Sequence, residues 1–129
     1  MAVICFDLDS TLIYSMEAYQ LALNYALQEL GLRKISKKRF GEYFGVSNKI
    51  LLRDEFPDLS RNQIGKILDL RKKIFLKKTI SYVKIIPGVK KTLKNLSKEH
   101  ILVLLSNSEH KSIMAKLNKL DINPKMFKL

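Results

Sequence analysis

The fold is decided by the stretch at residues 2–12, which reads AVICFDLDSTL. Its first five residues form an apolar run rich in residues that favour β-strands, and the run ends abruptly at Asp7. A continuous apolar run of this kind is typical of a strand buried on both faces, as in a parallel sheet. Cys5 is therefore expected to be a buried structural thiol. The residues from Asp7 to Thr11 then form a polar loop at the carboxyl end of that strand.

A second apolar run, HILVLL at residues 100–105, ends in a similar polar loop at residues 106–108. Apolar residues recur at helical spacing both before this run and after it. Residues 126–129 are typical of the beginning of a third strand. Alternating strands and helices with apolar strands predict an α/β fold, built on a doubly wound, Rossmann-like parallel sheet.

The region between the first strand and the turn at Pro87-Gly88 is predicted to be an all-helical insertion. Gly31 is a plausible end for its first helix. Four serines are plausible N-caps of its helices: Ser15, Ser36, Ser47 and Ser60. The sequence thus predicts an α/β core at residues 1–14 and 84–129, interrupted by a helical insertion at residues 15–83.

Composition restricts the class of protein. With 47% hydrophobic and 28% charged residues, the chain has enough apolar side chains for a packed core. No apolar run is long enough for a transmembrane helix, and the N-terminus lacks the features of a signal peptide. The single cysteine excludes an intrachain disulfide, so a cytoplasmic location is expected, and the lack of a transmembrane run predicts no membrane partner.

The formal net charge of +12 is unevenly distributed. Residues 1–32 contain four acidic side chains and no Lys or Arg, whereas residues 33–98 hold most of the basic ones. This basic region could attract nucleic acid or a small anionic substrate, or could simply be a solvated helical surface. Nucleic acid is disfavoured as a partner because aromatic residues do not alternate with the basic ones and no nucleic-acid motif is present.

The two polar loops carry the candidate chemistry. In open α/β sheets, ligands bind at the carboxyl ends of the strands, where Asp7 and Asp9 would meet Ser106. Two carboxylates at this spacing suit Mg²⁺, which prefers oxygen ligands. One carboxylate could attack phosphorus while the other transfers a proton, and the Ser106 hydroxyl could donate to a phosphate oxygen. The amides that follow Ser106 would open a helix and favour an anion. Taken singly, the Asp-x-Asp pair could lack any catalytic role, and residues 106–108 could be only a helix N-cap.

Three segments together resemble the haloacid dehalogenase-like (HAD) hydrolase superfamily. Residues 6–12, FDLDSTL, are similar to its first motif, hydrophobic-Asp-x-Asp-x-Thr-Leu. Residues 104–108, LLSNS, are similar to its second motif, and residues 86–89 are similar to the segment that returns the chain from a helical cap to the core. The spacing resembles that of the phosphoglycolate phosphatase-like branch, in which residues 15–83 would be the cap.

The resemblance implies a role for each matching residue. Asp7 would be the nucleophile and a Mg²⁺ ligand, and Asp9 would be the general acid/base and a Mg²⁺ ligand through its backbone carbonyl. Ser106 and Asn107 would bind the phosphoryl group, and Thr11 would support the loop geometry of this phosphate-binding set. The implied function is a Mg²⁺-dependent phosphatase of a small phosphorylated metabolite, acting through an aspartyl-phosphate. Asp9 favours phosphate-ester hydrolysis, because the dehalogenase branch lacks a second aspartate there.

The resemblance also implies a lysine beyond the third strand and acidic residues after a fourth. The sequence ends at Leu129, inside the predicted third strand, so the last strands of the fold are expected to be absent. Neither Lys125 nor Lys128 is assigned the lysine's role. The first strand would then be an unpaired apolar edge. Three interpretations stay open: a piece of a longer hydrolase, an enzyme completed by a second chain or a swapped dimer, or a non-catalytic relative that binds an acidic partner or nucleic acid.

Overall fold

A computed structural model describes residues 1–128 of the chain. The strands are β1 (Val3–Asp7), β2 (Ile13–Tyr14), β3 (Lys84–Ile85), β4 (Ile101–Leu105) and β5 (Phe127–Lys128). The α-helices are α1 (Met16–Glu29), α2 (Lys37–Glu42), α3 (Asn48–Glu55), α4 (Arg61–Lys77), α5 (Val89–Ser97) and α6 (His110–Lys119). Of the strand predicted at residues 126–129, Phe127 and Lys128 pair in the sheet, and Leu129 lies outside the described residues. Within the described part, none of the helices is long and apolar enough to cross a membrane.

The chain divides into two compact units. One combines Met1–Ser15 with the chain from Ser81 onward, and the other is the helical segment Met16–Ile80. The boundaries of the predicted insertion, residues 15–83, lie one residue before and three residues after those of the helical segment. That this segment acts as a cap stays a prediction.

The α/β unit is built on a parallel sheet in the order β1-β4-β5. Val3 pairs with Ile101 and Asp7 pairs with Leu105, so β1 and β4 end side by side at the same edge of the sheet. α5 precedes β4 and α6 connects β4 to β5 along the chain, which is the alternation that a parallel sheet requires. The predicted α/β fold is confirmed. The core of this unit contains buried residues from its strands and helices: Leu93, Leu102, Leu104, Ile113, Leu117 and Phe127.

The prediction that β1 is buried on both faces is wrong. Its residues alternate in exposure, with Ile4 and Phe6 half-buried and Val3 62% exposed. Cys5 is exposed, contrary to the expected buried thiol. Residues 3, 5 and 7 of a strand point to the same face, and the described part of the chain leaves that face uncovered. Within residues 1–128 β1 is also an edge strand, because it pairs with β4 alone.

Local capping sets the helix boundaries in the helical unit. Ser36 and Ser47 accept hydrogen bonds from the amides of Arg39 and Lys49, and Ser60 forms a capping box with Gln63. These three predicted caps are confirmed. Gly31 has a φ of +72°, and the bonds Gly31 N–Gln28 O and Leu32 N–Leu27 O end α1 in a Schellman motif. The core beneath these helices is apolar: Leu23, Leu27, Leu51, Leu52 and Ile67 are buried.

A charged cluster joins α2 and the chain before it to the end of α3. The Glu55 carboxylate, 11% exposed, accepts hydrogen bonds from Arg39 and from Arg33, whose Nη2 lies 2.9 Å away. These bonds, the one from Arg39 first, hold the pKa of Glu55 below its usual value. Both guanidinium groups are open to solvent, with side chains 41% and 59% exposed. Two exposed guanidinium groups thus cover a largely buried carboxylate. We call this cluster of Arg33, Arg39 and Glu55 the helical clamp.

Candidate active site

The loop after β1 is a compact turn with an apolar underside. The amides of Leu12 and Ile13 both donate to the Leu8 carbonyl, and Ser10 adopts a φ of +69°. Leu8 and Ile13 are fully buried and Leu12 nearly so. Ile86 N donates to Leu12 O at 3.0 Å, which ties the end of the loop to the segment after β3. The burial of these side chains fixes the loop while leaving Asp7 and Asp9 at the surface end of the sheet.

Asp7 lies at the last position of β1 and is exposed. Its Oδ1 accepts a hydrogen bond from the Leu8 amide at 3.0 Å. This bond orients the carboxylate without enclosing it. An exposed, oriented carboxylate is what a nucleophile or a metal ligand requires.

Asp9, two residues later, is held far more tightly. Its side chain is 20% exposed and receives the Ser15 hydroxyl at 2.6 Å on Oδ1. The Lys116 Nζ lies 3.1 Å from Oδ1 and 3.2 Å from Oδ2, and the Ser108 hydroxyl lies 3.5 Å from Oδ2. Each oxygen of this carboxylate therefore faces a cation and a hydroxyl. The two carboxylates of the Asp-x-Asp pair have different surroundings, which suits a division of roles.

Lys116 is a site residue that the sequence reasoning missed. Its side chain is fully buried, and its Nζ contacts Ser108 Oγ at 3.2 Å as well as Asp9. It lies on α6, where Ile113 and Leu117 form part of the predicted apolar stripe. A lysine three residues after Ile113 belongs to that same face, because residues i, i+3 and i+4 are neighbours on a helix. The position of Lys116 on the apolar face of α6 could have identified it from the sequence, since a lysine that is buried nearly always has a partner.

The second loop comes close to the first, as the register of β1 and β4 requires. Its contact with Asp9 is made by Ser108, which was not among the predicted site residues. Ser106 is half-buried and its Oγ accepts the Ser108 amide at 3.1 Å. This acceptor role leaves the hydroxyl hydrogen of Ser106 able to donate. Thr11 and Asn107 lie exposed in the two loops.

The expectation that a helix opens directly after Ser106 is wrong. α6 begins at His110, and its N-cap is Glu109. The side chain of Ser106 instead forms a short turn with the Ser108 amide, which delays the start of the helix. The amides of residues 107–109 are thus presented by a loop and not by the first turn of a helix.

The oxygen atoms of the first loop are compatible with a Mg²⁺ ion. Asp7 offers an exposed carboxylate, and Mg²⁺ is commonly bound by one or two carboxylates with several waters and substrate phosphates. The Asp9 carboxylate already faces Lys116, so Asp9 would contribute its backbone carbonyl. Among residues 1–128, no group of three or more His, Cys, Asp or Glu side chains is arranged to hold a metal. The described residues thus fit a partial Mg²⁺ site centred on Asp7.

Comparison with known proteins identifies relatives of nearly the whole chain. The model of the haloacid dehalogenase-like hydrolase family matches residues 4–128. The phosphoglycolate phosphatase of Aquifex aeolicus is 35% identical over 108 residues, which cover 83% of this chain and 49% of that protein. The chain therefore spans about half the length of this curated relative.

Solved structures show the same fold. A haloacid dehalogenase-like family hydrolase from Streptococcus pneumoniae superposes with a TM-score of 0.83 at 23% identity, over 98% of this chain and 58% of that one. A predicted phosphoglycolate phosphatase from Haemophilus somnus gives 0.82 at 22% identity, over 98% and 60%. The match of the family model over residues 4–128 shows that the chain belongs to the haloacid dehalogenase-like hydrolases.

Proposed function

We propose that this chain carries the phosphoryl-transfer site of a Mg²⁺-dependent phosphatase, which hydrolyses phosphomonoesters through an aspartyl-phosphate on Asp7. The observation that carries the proposal is the contrast between the two carboxylates at the carboxyl end of β1. Asp7 is exposed and oriented by the Leu8 amide, whereas Asp9 is held by Lys116 and two hydroxyls. A nucleophile must be accessible, and a proton-transfer group must be held in place.

The reaction has two balanced steps. In the first, an Asp7 oxygen attacks phosphorus, the bond from phosphorus to the ester oxygen breaks, and that oxygen takes the proton of Asp9, which must enter this step in its protonated form. In the second, water attacks the phosphorus of the acyl phosphate, the bond to Asp7 breaks, and Asp9 takes a proton from the water. The 20% exposure of the Asp9 side chain leaves it open to the leaving oxygen and later to the water.

Ser106 and Asn107 would bind the transferred phosphoryl group, because both lie in the loop after β4 and both carry hydrogen-bond donors. The Ser106 hydroxyl can donate a proton, and Asn107 offers an amide in the same loop at the end of β4. A bound Mg²⁺ would neutralise charge between the Asp7 carboxylate and the phosphate. Thr11 lies in the loop that carries both aspartates, where it would support the loop geometry.

A small phosphorylated metabolite is the substrate class that fits best. The similarity to a phosphoglycolate phosphatase supports it, and so does a net charge of +12, which attracts anions. The helical unit at Met16–Ile80 would act as the cap that selects the substrate. A second chain or a swapped copy would cover the open edge of β1, which within residues 1–128 pairs with β4 alone, and would supply further groups to the site.

The test is phosphoryl transfer to Asp7. The chain is incubated with 4-nitrophenyl phosphate with and without Mg²⁺, beside Asp7→Asn and the matched control Asp58→Asn, which alters an exposed carboxylate of the helical unit. Released phosphate and covalent phosphate on Asp7 are both measured, the latter by mass spectrometry after borohydride trapping. We expect Mg²⁺-dependent phosphorylation that Asp7→Asn abolishes and Asp58→Asn preserves.

Two other outcomes are informative. A folded chain that neither turns over nor becomes phosphorylated would contradict the proposal that this chain carries the reaction. A non-catalytic module that binds an acidic partner or nucleic acid is the second candidate, which the charge of +12 favours. It predicts binding to an oligonucleotide that weakens steeply with salt, in the same samples and without phosphorylation. Sedimentation velocity on these samples distinguishes a single chain from a swapped dimer.

A further inference from the structure

The pair of Lys116 and Asp9 places a buried positive charge beneath the first loop of the site. The Lys116 side chain has no exposed surface, whereas that of Asp9 is 20% exposed. The ammonium Nζ lies 3.1 and 3.2 Å from the two carboxylate oxygens, so the cation is on the side of the carboxylate away from solvent. Water and salt screen a buried charge much less than an exposed one, so the field of Lys116 acts on the loop above it.

The two loops of the site carry few charges of their own. Asp7 and Asp9 lie two residues apart at the start of one compact turn, and residues 106–108 of the second loop are all neutral. Glu109 follows at the N-cap of α6, where it is exposed to solvent. Without Lys116 the first loop would present two negative charges. With it, the charge of Asp9 is compensated and Asp7 alone is left uncompensated.

We propose that Lys116, by compensating the charge of Asp9, sets the balance of affinities at the site and favours a phosphate group over a divalent cation. The inference rests on the proposed function, since both ligands would bind at Asp7. Uncompensated carboxylates repel a phosphate dianion and attract Mg²⁺, so one buried cation moves the two affinities in opposite directions. Lys116 has no exposed surface with which to contact either ligand, and it acts through Asp9 as a positioning residue.

A merely structural lysine makes a different prediction. If Lys116 only fastened α6 to the first loop, its loss would loosen that loop and weaken the binding of both ligands. Loss of a compensating charge instead weakens the binding of phosphate and strengthens the binding of Mg²⁺. The sign of the change in Mg²⁺ affinity therefore separates the two roles, and it does so without any measurement of turnover.

The experiment titrates the ¹⁵N-labelled chain with inorganic phosphate and, in separate samples, with magnesium chloride at physiological ionic strength. The amide signals of residues 7–9 and 106–108 report binding by NMR. For Lys116→Met we expect the Kd for phosphate to rise and the Kd for Mg²⁺ to fall, each by roughly three- to tenfold. Lys119→Met removes an exposed lysine of the same helix and changes the net charge equally. It should leave both Kd values within about twofold of the wild type, because solvent and salt screen an exposed charge.

Removing both charges of the pair provides a second test of sign. Asp9→Asn/Lys116→Met leaves Asp7 as the one uncompensated charge of the first loop, as in the wild type. Both Kd values should therefore return to within about twofold of those of the wild type, although each substitution alone shifts them. For Asp9→Asn alone the shifts should be the reverse of those for Lys116→Met, with tighter phosphate and weaker Mg²⁺.

Each outcome has a clear meaning. If a folded Lys116→Met chain binds both ligands more weakly, or binds both as the wild type does, the charge role is overturned and the phosphatase stands. If the folded wild-type chain binds neither phosphate nor Mg²⁺ at these amides, the proposed function fails and this inference fails with it. Circular dichroism establishes that each variant is folded. If Lys116→Met does not fold, Lys116→Gln, which also removes the charge, is measured in its place, and the same signs decide.

Discussion

The two units of the molecule each contain a carboxylate held by basic side chains, but the burial is reversed. In the helical unit Glu55 is 11% exposed beneath Arg33 and Arg39, which are open to solvent. In the α/β unit Lys116 is fully buried beneath Asp9, which stays partly open. The first arrangement conceals its carboxylate and is suited to holding helices together. The second presents its carboxylate to solvent, which is what a chemical site requires.

We expect the largest loss of stability when Asp9, the partly exposed partner of the buried Lys116, is removed. Asp9→Ala leaves the Lys116 ammonium without its compensating charge, and we expect the free energy of unfolding to fall by about 3–5 kcal/mol. Urea unfolding followed by circular dichroism measures it. Adding Lys116→Met to Asp9→Ala should recover much of the loss, because the uncompensated charge is then gone. A loss below about 1 kcal/mol for Asp9→Ala would show that the pair contributes little to the fold.

The helical clamp should respond to acid in a predictable direction. The pKa of Glu55 is lowered in the folded chain, chiefly by its hydrogen bond from Arg39, so the unfolded chain binds the proton more readily. The stabilisation from Glu55 is then fully present above its ordinary value of 4.5 and is lost as the pH falls through the lower folded pKa. We expect the urea midpoint of the wild type to fall over this range.

The matched variant is Glu55→Gln, which removes the titrating group while keeping its size. Its urea midpoint should be lower than that of the wild type at neutral pH and should converge with it in acid. The effect at neutral pH should be smaller than that of Asp9→Ala, because both arginines are exposed and solvent screens the pair. Parallel pH curves for the two proteins would contradict the assignment.

The sequence predicted the structural features that depend on residues close to one another in the chain. The caps at Ser36, Ser47 and Ser60 each lie within three residues of the amides they bind, so local sequence predicts them. The alternation of strands and helices predicted the sheet and brought the two loops together. The exposure of Cys5 and of one face of β1 depends on what covers the sheet, which a strand's own residues do not encode.

The buried cation was missed for a related reason. Lys116 and Asp9 are separated by 107 positions, and helical periodicity gave only an apolar stripe into which a lysine does not fit. The prediction that a helix opens directly after Ser106 was wrong because the Ser106 hydroxyl accepts a hydrogen bond from the Ser108 amide. The turn that this bond forms competes with helix initiation. The missed lysine and the wrong helix start both lie in the candidate site. Functional sites are where local sequence preferences are expected to fail as predictors of structure.

We expect the smallest effect on stability from a substitution of Asp7, the other carboxylate of the Asp-x-Asp pair. Asp7 is exposed and accepts one amide bond, which the side-chain oxygen of an asparagine can also accept. Asp7→Asn should therefore change the free energy of unfolding by less than about 0.5 kcal/mol, as for an ordinary surface substitution. Urea unfolding beside Asp58→Asn provides the measurement. A loss approaching that of Asp9→Ala would mean that Asp7 also pairs with a cation in solution, and the division of the two carboxylates into an open nucleophile and a held proton carrier would then lose its physical basis.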